Sequence, residues 1–471
     1  MNVVFVNPSW IEHSTEKEIK DIYSASPPLG ILYMASYIRK FGHHPDLIDL
    51  SLFNISDDES VERIIKKKPD VVAFTATTPQ INSAVRIIKK LGEISDVPVV
   101  LGGSHATIMP DEMMREHKDI DYIVIGEGEK TILELMDAME RPTNPEDVAG
   151  IIFRQGDKII KTAPRGFVED LDTLPIPARD LLSSINDYKL TPLDFKRTPV
   201  TTMITSRGCP FHCLYCNKSI FGNKYRTHST RYVLDEMEHL IDKYKVKEIK
   251  IWDDVFTLNT KRTSEICTGI KDRDLDISWS CESRVDVVTK DILRQMKNSG
   301  CWLIDFGIES GNQNIINGIN KGITLDQIRN AIRWSKDAGM FTRGYFIFGL
   351  PGETTETAKE TVRFLKEIEP TFATFFIATP YPGTGLWDYV KNVEKFTLSE
   401  DWGSYSHIDF SNPPYVTKTL TKGELNQIIK DAYRGFYFRP SFILKRMLDI
   451  NSASRLKAYC KSGILLIKSV M

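Results

Sequence analysis

Three cysteines within eight residues are the strongest chemical signal in this sequence. Cys209, Cys213 and Cys216 follow the pattern Cys-x-x-x-Cys-x-x-Cys, and no cysteine precedes them. A structural zinc site uses four ligands, commonly as two pairs on either side of a long loop, and no second pair follows here. His212 is a poor fourth ligand because it adjoins Cys213. A [4Fe–4S] cluster takes four thiolates, so three would leave one iron open to a substrate or cosubstrate. We therefore interpret this segment as the site of a catalytic cluster.

The elements around this segment are parallel β-α units. From Thr201 onward, short apolar runs alternate with amphipathic stretches. The predicted strands are Thr202–Thr205, Glu248–Trp252, Ser278–Glu282, Trp302–Ile308, Tyr345–Phe348 and Thr374–Ala378. The predicted helices are Arg231–Tyr244, Lys261–Lys271, Lys290–Ser299, Leu325–Ala338 and Thr355–Ile368. Six units predict a partial (β/α)6 barrel, or a full barrel with weaker flanks. The cysteines follow the first strand, at the end where barrel enzymes place their chemistry.

The first 140 residues show the same alternation in a separate domain. The predicted strands are Asn2–Asn7, Pro45–Asp49, Val71–Thr75, Pro98–Leu101 and Tyr122–Ile125. The predicted helices are Leu29–Phe41, Glu59–Lys67, Pro79–Ile94 and Lys130–Met139. This pattern predicts a flavodoxin-like doubly wound parallel sheet, which binds ligands at the carboxyl ends of its strands. A hairpin at Ile151–Arg154 and Lys158–Lys161 and an extended Leu174–Pro177 segment predict a connector to the barrel.

Three loops at these strand ends are rich in small residues. They are Thr75-Ala76-Thr77-Thr78, Gly102-Gly103-Ser104-His105 and Gly126-Glu127-Gly128-Glu129. Glycine allows a ligand to approach the backbone closely. Each loop alone is typical of an ordinary βα turn, whereas three in one small domain favour a large ligand lying across the sheet edge.

Charge and hydropathy narrow the class of protein. The 471 residues hold 61 Lys and Arg against 63 Asp and Glu, a net charge of −2 that argues against a general nucleic-acid binder. No run approaches the ~18 apolar residues that a spanning helix needs, and the start lacks a signal peptide. We expect a cytoplasmic protein with reduced thiols. Cys267, Cys281, Cys301 and Cys460 are then ordinary small buried residues.

The last fifty residues differ in composition from the rest. From Arg439 onward, seven Lys and Arg residues accompany a single acid, Asp449, with apolar residues between them. Two interpretations stay open: a basic helix pair packed on the barrel, or a segment that lies on an anionic membrane. Phe372, Phe375 and Phe376 at the sixth strand likewise fit either the barrel core or an apolar substrate wall.

The cysteine spacing, placed after the first strand of a βα barrel, resembles the hallmark of the radical S-adenosylmethionine (SAM) superfamily. The resemblance implies a [4Fe–4S] cluster whose open iron chelates the amino and carboxylate groups of SAM. Cleavage of SAM then gives a 5′-deoxyadenosyl radical that abstracts hydrogen. Motifs at later strand ends match in order, although Tyr345 stands where the fifth-strand motif often begins with glycine. The residues that the resemblance assigns to SAM are Tyr215, Asp253, Asp254, Glu282, Ser283, Arg284, Glu309 and Gly349.

The N-terminal loops resemble the cobalamin (B12)-binding domain of the class B radical SAM enzymes. The matching segments are Pro27–Gly30, Leu101–Thr107 and Gly126–Thr131. The D-x-H-x-x-G motif, which supplies an axial histidine in methionine synthase, is absent, and we expect His105 to be structural. The residues that the resemblance assigns to cobalamin are Thr75, Thr77, Gly102, Gly103, Ser104, His105, Gly126, Glu127 and Gly128.

The resemblance implies a methyltransferase that methylates an unactivated carbon, with a cyclase or a lipid- or porphyrin-modifying enzyme as the alternative. It implies a small-molecule or lipid substrate, a low-potential donor such as ferredoxin or flavodoxin, and no nucleic acid. Residues 1–145 form the predicted cobalamin domain, 146–197 the hairpin and linker, 198–418 the barrel, and 419–471 a helical basic region. That last region is the candidate for peripheral membrane contact.

Overall fold

The computed structural model of the protein describes residues 1–9, 25–53, 55–141, 143–191, 193–405 and 412–448, together with Tyr459 and Gly463. Cys460 and four of the seven basic residues of the tail lie outside the described residues. Both sheets predicted from the sequence are present, each with its own buried core.

The N-terminal sheet has seven strands. They are β1 (Asn2–Asn7), β2 (His44–Asp49), β3 (Val71–Thr75), β4 (Val99–Gly102), β5 (Tyr122–Val124), β6 (Ile151–Gln155) and β7 (Lys158–Lys161). Their order is β2-β1-β3-β4-β5-β6-β7, and the first five strands are parallel. This order confirms the flavodoxin-like prediction. The antiparallel β6–β7 hairpin, which the sequence places in the connector, extends this sheet beyond β5.

Helices cover both faces of this sheet. They are α1 (Leu29–Arg39), α2 (Asp57–Lys66), α3 (Ile81–Gly92), α4 (Ser104–Ile108), α5 (Pro110–Glu116) and α6 (Glu129–Glu140). Because both faces are buried, β1 and β3 consist of continuous apolar runs rather than alternating ones. Gly103 shows how tightly the loop after β4 packs: its φ is +94°, and an added Cβ would lie 2.6 Å from the carbonyl oxygen of Ala76.

The second sheet is an open, all-parallel sheet of six strands. They are β8 (Val200–Met203), β11 (Glu248–Ile251), β12 (Ser278–Ser283), β13 (Cys301–Glu309), β14 (Phe341–Phe348) and β15 (Phe372–Ile377). Sequential neighbours pair throughout, so the sheet is the predicted partial barrel. A short antiparallel pair, β9 (Ser206–Arg207) and β10 (Arg226–Thr227), stands beyond the end of β8.

The barrel helices pack their apolar faces on the outer side of these strands. They are α7 (Thr230–Tyr244), α8 (Thr260–Asp272), α9 (Lys290–Asn298), α10 (Gln313–Gly318), α11 (Leu325–Asp337) and α12 (Thr355–Ile368). Ile249, Trp279 and Phe306 belong to this outer core, and the buried Cys267, Cys281 and Cys301 join it as predicted. Side chains alternate along a strand, so the polar residues between them face the concave side.

The C-terminal elements divide between the two interpretations of the tail. They are α13 (Gly385–Asn392), α14 (Lys422–Tyr437) and α15 (Pro440–Leu448). Leu425, Ile429 and Phe436 of α14 belong to the barrel core, so this helix is an integral part of the barrel. Helix α15 instead leaves Leu444 and Met447 about three-fifths exposed. Among the described residues, no helix is long and apolar enough to cross a membrane.

Candidate functional site

The three cysteines lie on the loop between β9 and β10, residues 208–225, hereafter the cysteine loop. Gly208 begins it with φ +83°, and an added Cβ would lie 2.3 Å from the carbonyl oxygen of Lys224. The Cys209 amide donates to the Gly222 carbonyl, and the Cys216 amide donates to the Cys213 carbonyl. All three thiols are unpaired and partly or fully accessible. Backbone hydrogen bonds thus hold the loop folded while its sulfur atoms stay available.

The three sulfur atoms of the cysteine loop do not all lie within 4.8 Å of one another. In the part of the chain that the structure describes, one group of three His, Cys, Asp or Glu side chains has its ligand atoms within 4.8 Å of one another, and it does not include these cysteines. Tetrahedral zinc with Zn–S bonds of about 2.3 Å would need sulfur atoms about 3.8 Å apart. The three thiols are thus not gathered around a single-ion site in the structure as described, and their assignment to a cluster rests on the spacing of the cysteines in the sequence.

A buried charge pair adjoins the cysteine loop at the end of β13. Lys321 donates to Oε1 of Glu309 at 2.7 Å, and the Tyr215 hydroxyl donates to the same oxygen at 2.7 Å. Glu309 has a φ of +67°, and an added Cβ on Gly307 would lie 2.5 Å from its carboxylate. Burial, followed by the nearby carboxylate of Glu309, holds the pKa of Tyr215 well above its ordinary value. Sequence reasoning found Tyr215 and Glu309 but missed Lys321, a single lysine outside any recognised motif.

Arg284, at the third strand end, contacts the cysteine loop, and its assignment to SAM stays a prediction. Its guanidinium lies 3.6 Å from the centre of the Phe211 ring and 3.7 Å from Sγ of Cys213. It also donates to the Lys321 carbonyl and to Asp286. A fixed positive charge therefore faces the sulfur ligands.

Asp253 has a different environment from Asp254. The buried Asp253 carboxylate accepts hydrogen bonds from the backbone amides and hydroxyls of both Thr205 and Ser206, at 2.5 to 3.1 Å. It thereby fixes the turn that leads from β8 into the cysteine loop. Each oxygen of the Asp253 carboxylate already accepts two hydrogen bonds, whereas the Asp254 side chain is exposed.

Glu282 and Ser283 point to opposite sides of β12. The Ser283 hydroxyl lies 2.5 Å from the Thr257 hydroxyl, away from the concave side. Glu282 pairs in register with Asp305 of β13, on the concave side. Burial raises its pKa to about 7. This carboxyl is therefore close to half protonated at neutral pH.

A network of charges lies beside Glu282, hereafter the barrel-floor cluster: Asp194, Lys250, Asp305 and Arg343. Lys250 lies 3.2 Å from Asp194 and 3.1 Å from Asp305, and Arg343 contacts both carboxylates. The Tyr345 hydroxyl donates to Asp305 at 3.0 Å. Sequence reasoning missed this cluster, although the signal was available: a charged residue inside a strand with a buried outer face must point to the concave side.

Gly349 begins the turn after β14 with φ +82°. Its amide donates to Oε2 of Glu353 at 2.6 Å, and burial raises the pKa of that carboxyl to about 8.

At the sixth strand, the buried Phe375 packs outward on Tyr433, whereas Phe376 contacts the ring of Tyr345. The phenylalanines thus divide between core and concave side.

In the N-terminal domain, the predicted ligand loops converge at one edge of the sheet. Thr75 pairs in register with Gly102, and Thr77 binds the side chain of Gln80. Gly103 and Ser104 begin α4, the Gly126 amide donates to the Thr107 hydroxyl, and Gly128 packs on Met34.

His105 is completely buried in this edge. Its Nδ1 lies 3.2 Å from the Thr78 hydroxyl, and its ring packs edge-on against Trp402 at 4.8 Å. Burial lowers its pKa to about 4, so the imidazole is neutral at pH 7. Its Nε2 has no hydrogen-bond partner. The structural role of His105 stays a prediction.

Glu127 does not point toward the open edge of the sheet. Its carboxylate lies 3.1 Å from Arg207 and 2.9 Å from Arg226, and it accepts a hydrogen bond from the Val168 amide at 2.7 Å. The loop predicted to bind one cofactor thus contacts the base of the cysteine loop directly.

Comparison with known proteins agrees with this arrangement. The profile of the Radical SAM superfamily matches residues 203–365, and that of the B12 binding domain matches residues 19–136. The chain is 38% identical to the uncharacterized methyltransferase PH0819 of Pyrococcus horikoshii, over 92% of this chain and 93% of the relative. It is 32% identical to the anaerobic magnesium-protoporphyrin IX monomethyl ester cyclase of Cereibacter sphaeroides, over 98% of this chain and 76% of the relative.

Two solved structures share the fold. One is the radical SAM methyltransferase TsrM of Kitasatospora setae with cobalamin and a [4Fe–4S] cluster bound: TM-score 0.71, 17% identity, and 93% of this chain and 89% of that chain covered. The other is the cobalamin-dependent radical SAM enzyme OxsB: TM-score 0.75, 19% identity, and 100% and 71% covered.

The fold and the cysteine loop define an enzyme that joins a cobalamin-binding sheet to a radical SAM barrel. The chain belongs to the B12-binding-domain radical SAM family. This confirms the predicted fold, the enzyme class and the cofactor set of [4Fe–4S] cluster, SAM and cobalamin.

Proposed function

We propose that the protein is a cobalamin-dependent radical SAM methyltransferase that methylates an unactivated carbon of a small molecule or lipid. The observation that carries the proposal is the direct contact between the Gly126–Gly128 loop and the base of the cysteine loop. Two cofactor sites joined in this way serve one substrate between them. The 38% identity to a protein named as a methyltransferase supports the choice of reaction.

In this proposal, Cys209, Cys213 and Cys216 hold the cluster. The charge pair of Glu309 and Lys321, which bind each other at 2.7 Å beside Tyr215, is proposed to form part of the SAM site through Glu309. The other residues proposed to contact SAM are Tyr215, Asp253, Asp254, Glu282, Ser283, Arg284 and Gly349. For Asp253 and Ser283, whose side chains bind neighbouring residues, the proposed contribution is to shape the strand ends. When bound, SAM and the cluster supply a hydrogen-abstracting radical, and cobalamin supplies a methyl group.

The residues proposed to line the cobalamin site are Thr75, Thr77, Gly102, Gly103, Ser104, His105, Gly126, Glu127 and Gly128. The small side chains of this set leave the backbone approachable, and neutral His105 adds no charge at pH 7. For Glu127 the contribution is indirect, through the barrel arginines. The domain limits predicted from the sequence also stand as proposals, with residues 146–161 attached to the N-terminal sheet.

Glu282 is proposed to exchange a proton with a polar group of the substrate. It lies on the concave side, and its pKa near 7 lets it accept or release a proton at neutral pH. The barrel-floor cluster beside it keeps two cations and two anions fixed while that proton moves. This role leaves hydrogen abstraction to the cofactors.

A second candidate is a cyclase that uses the same cofactors without transferring methyl. The observation in its favour is the 32% identity to the anaerobic cyclase over 98% of this chain.

The deciding experiment is anaerobic incubation of the holoprotein with a low-potential reductant, methyl-labelled SAM, and extracts of lipids and small molecules. A methyltransferase transfers label to an extract component, and Cys213→Ala, the control, transfers none. An unlabelled product bearing a new ring or hydroxyl group would instead support the cyclase. Absence of SAM cleavage by the wild type would contradict both.

Two partners complete the proposal. The cluster receives its electron from a ferredoxin or flavodoxin, and α15 contacts an anionic membrane from the cytoplasm. The exposed Leu444 and Met447 of this helix offer apolar side chains to a lipid surface, while Lys445 between them pairs with Glu369 at 2.9 Å. Co-sedimentation with acidic but not zwitterionic vesicles is expected, and Leu444→Ser should reduce it. Equal binding to both vesicle types would contradict this contact.

A further inference from the structure

Two arginines face each other at the base of the cysteine loop. Arg207 of β9 and Arg226 of β10 are directly opposite partners in the antiparallel ladder that closes the loop. Both side chains are almost completely buried, with 4% and 3% exposed. Like charges at directly opposite positions destabilise a strand pair, and burial strengthens their repulsion. The hairpin that closes the loop therefore needs a negative charge from elsewhere.

That charge comes from the other domain. Glu127 contacts both arginines, at 3.1 and 2.9 Å, and Glu129 contacts Arg207 at 2.6 Å. We call these four residues the interdomain charge cluster. It contains two cations and two anions, and both anions belong to the N-terminal domain.

The arginines are also fixed to the cysteine loop and the linker. Arg226 donates to the carbonyls of Phe221, inside the loop, and Val168, in the linker. Arg207 lies 5.1 Å from the ring of Phe221. A movement of the Glu127 carboxylate would thus be transmitted to both sides of the loop.

We propose that Glu127 is a positioning residue that holds the cysteine loop in its cluster-binding conformation, and so couples the N-terminal ligand loop to cluster retention. The inference rests on the proposed function only for the identity of the cluster. Because Glu127 lies between Gly126 and Gly128, a ligand that binds this loop in its observed conformation also favours the observed position of the carboxylate. By linkage, the same ligand then strengthens cluster binding.

The test measures the rate at which iron leaves the anaerobically purified holoprotein in the presence of a ferrous chelator. Glu127→Gln keeps the size of the side chain but removes its charge, and we expect iron release to accelerate at least tenfold. We also expect a changed electron paramagnetic resonance spectrum of the reduced cluster. Arg226→Lys, which keeps the charge but cannot reach Glu127, Val168 and Phe221 together, should accelerate release at least threefold. It serves as a second test if the first variant does not fold.

Two control variants distinguish the positioning effect of Glu127 from a general destabilisation of the fold. Tyr188→Phe removes a hydrogen bond between the linker and Asp49 of the N-terminal domain, away from the cysteine loop. Glu134→Gln removes an exposed ion pair with Arg165. Both should release iron at the wild-type rate. Wild-type release from Glu127→Gln, or equal acceleration by Tyr188→Phe, would overturn the inference and leave the proposed function intact. A wild type that assembles no cluster would overturn both.

Discussion

The interdomain charge cluster and the barrel-floor cluster have the same composition but different surroundings. Each contains two cations and two anions, buried and within contact distance. The first joins two domains and includes no further ionisable carboxyl. The second lies within the barrel and has Glu282 beside it, whose pKa rises to about 7. A neutral set of four charges can thus serve as a rigid joint between domains, whereas beside the second set it is burial that raises the pKa of a fifth group, Glu282, to about 7.

The largest expected effect comes from removing one cation of the interdomain cluster. Arg226→Met leaves Arg207 alone between Glu127 and Glu129, so one buried negative charge lacks a partner, which costs about 3–5 kcal/mol of unfolding free energy. Anaerobic urea denaturation of the holoprotein measures the loss. The double variant Arg226→Met/Glu127→Met should recover much of it, because it removes both charges. A single variant as stable as the wild type would show that this cluster is not a joint.

A smaller loss is expected at the barrel floor. Asp305→Asn leaves Lys250 and Arg343 paired with Asp194, so the cost should be about 2–3 kcal/mol. The Asp305 charge contributes to the raised pKa of Glu282. That pKa should therefore fall below 7 in the variant, as measured by the pH dependence of stability. An unchanged pKa would contradict the coupling between Glu282 and the cluster.

Glu282 should make the stability of the wild type depend on pH. Its pKa is higher in the folded chain than in the unfolded chain, so its contribution is present at pH 4 and is lost as the pH rises through 7. Glu282→Gln should remove this dependence, a difference of about 1–3 kcal/mol between pH 5 and pH 8. Parallel urea titrations at the two pH values measure it. If the free energy of unfolding changes by the same amount between pH 5 and pH 8 in the variant and in the wild type, the raised pKa of Glu282 is refuted.

The smallest effect is expected from the single hydrogen bond between Tyr188 of the linker and Asp49 of the N-terminal domain. Tyr188→Phe removes one hydrogen bond to Asp49, worth about 1 kcal/mol. The melting temperature of the holoprotein should fall by a few degrees. A loss as large as that of Arg226→Met would mean that the charge cluster is not the main joint between the domains.

The sequence alone determined the features that depend on local spacing. The cysteine pattern spans eight residues, and the β-α alternation follows from periods of a few residues, so both were read without knowledge of the fold. The strand ends then placed Arg284 and Glu309 near the cysteine loop, because parallel strands end at one edge.

Only the tertiary structure decided which partners the charged residues take. Glu127 meets Arg207 and Arg226, which lie 80 and 99 residues away along the chain. Lys321 contacts Glu309 because the short helix α10, which lies between them in the chain, runs in a direction that no motif specifies. The oxygens of Asp253 accept hydrogen bonds from the turn after β8. Coulomb interactions depend on distance in space, and burial sets their strength. A sequence pattern therefore predicts which residues reach the site, whereas the packed fold decides which of them remain available for chemistry.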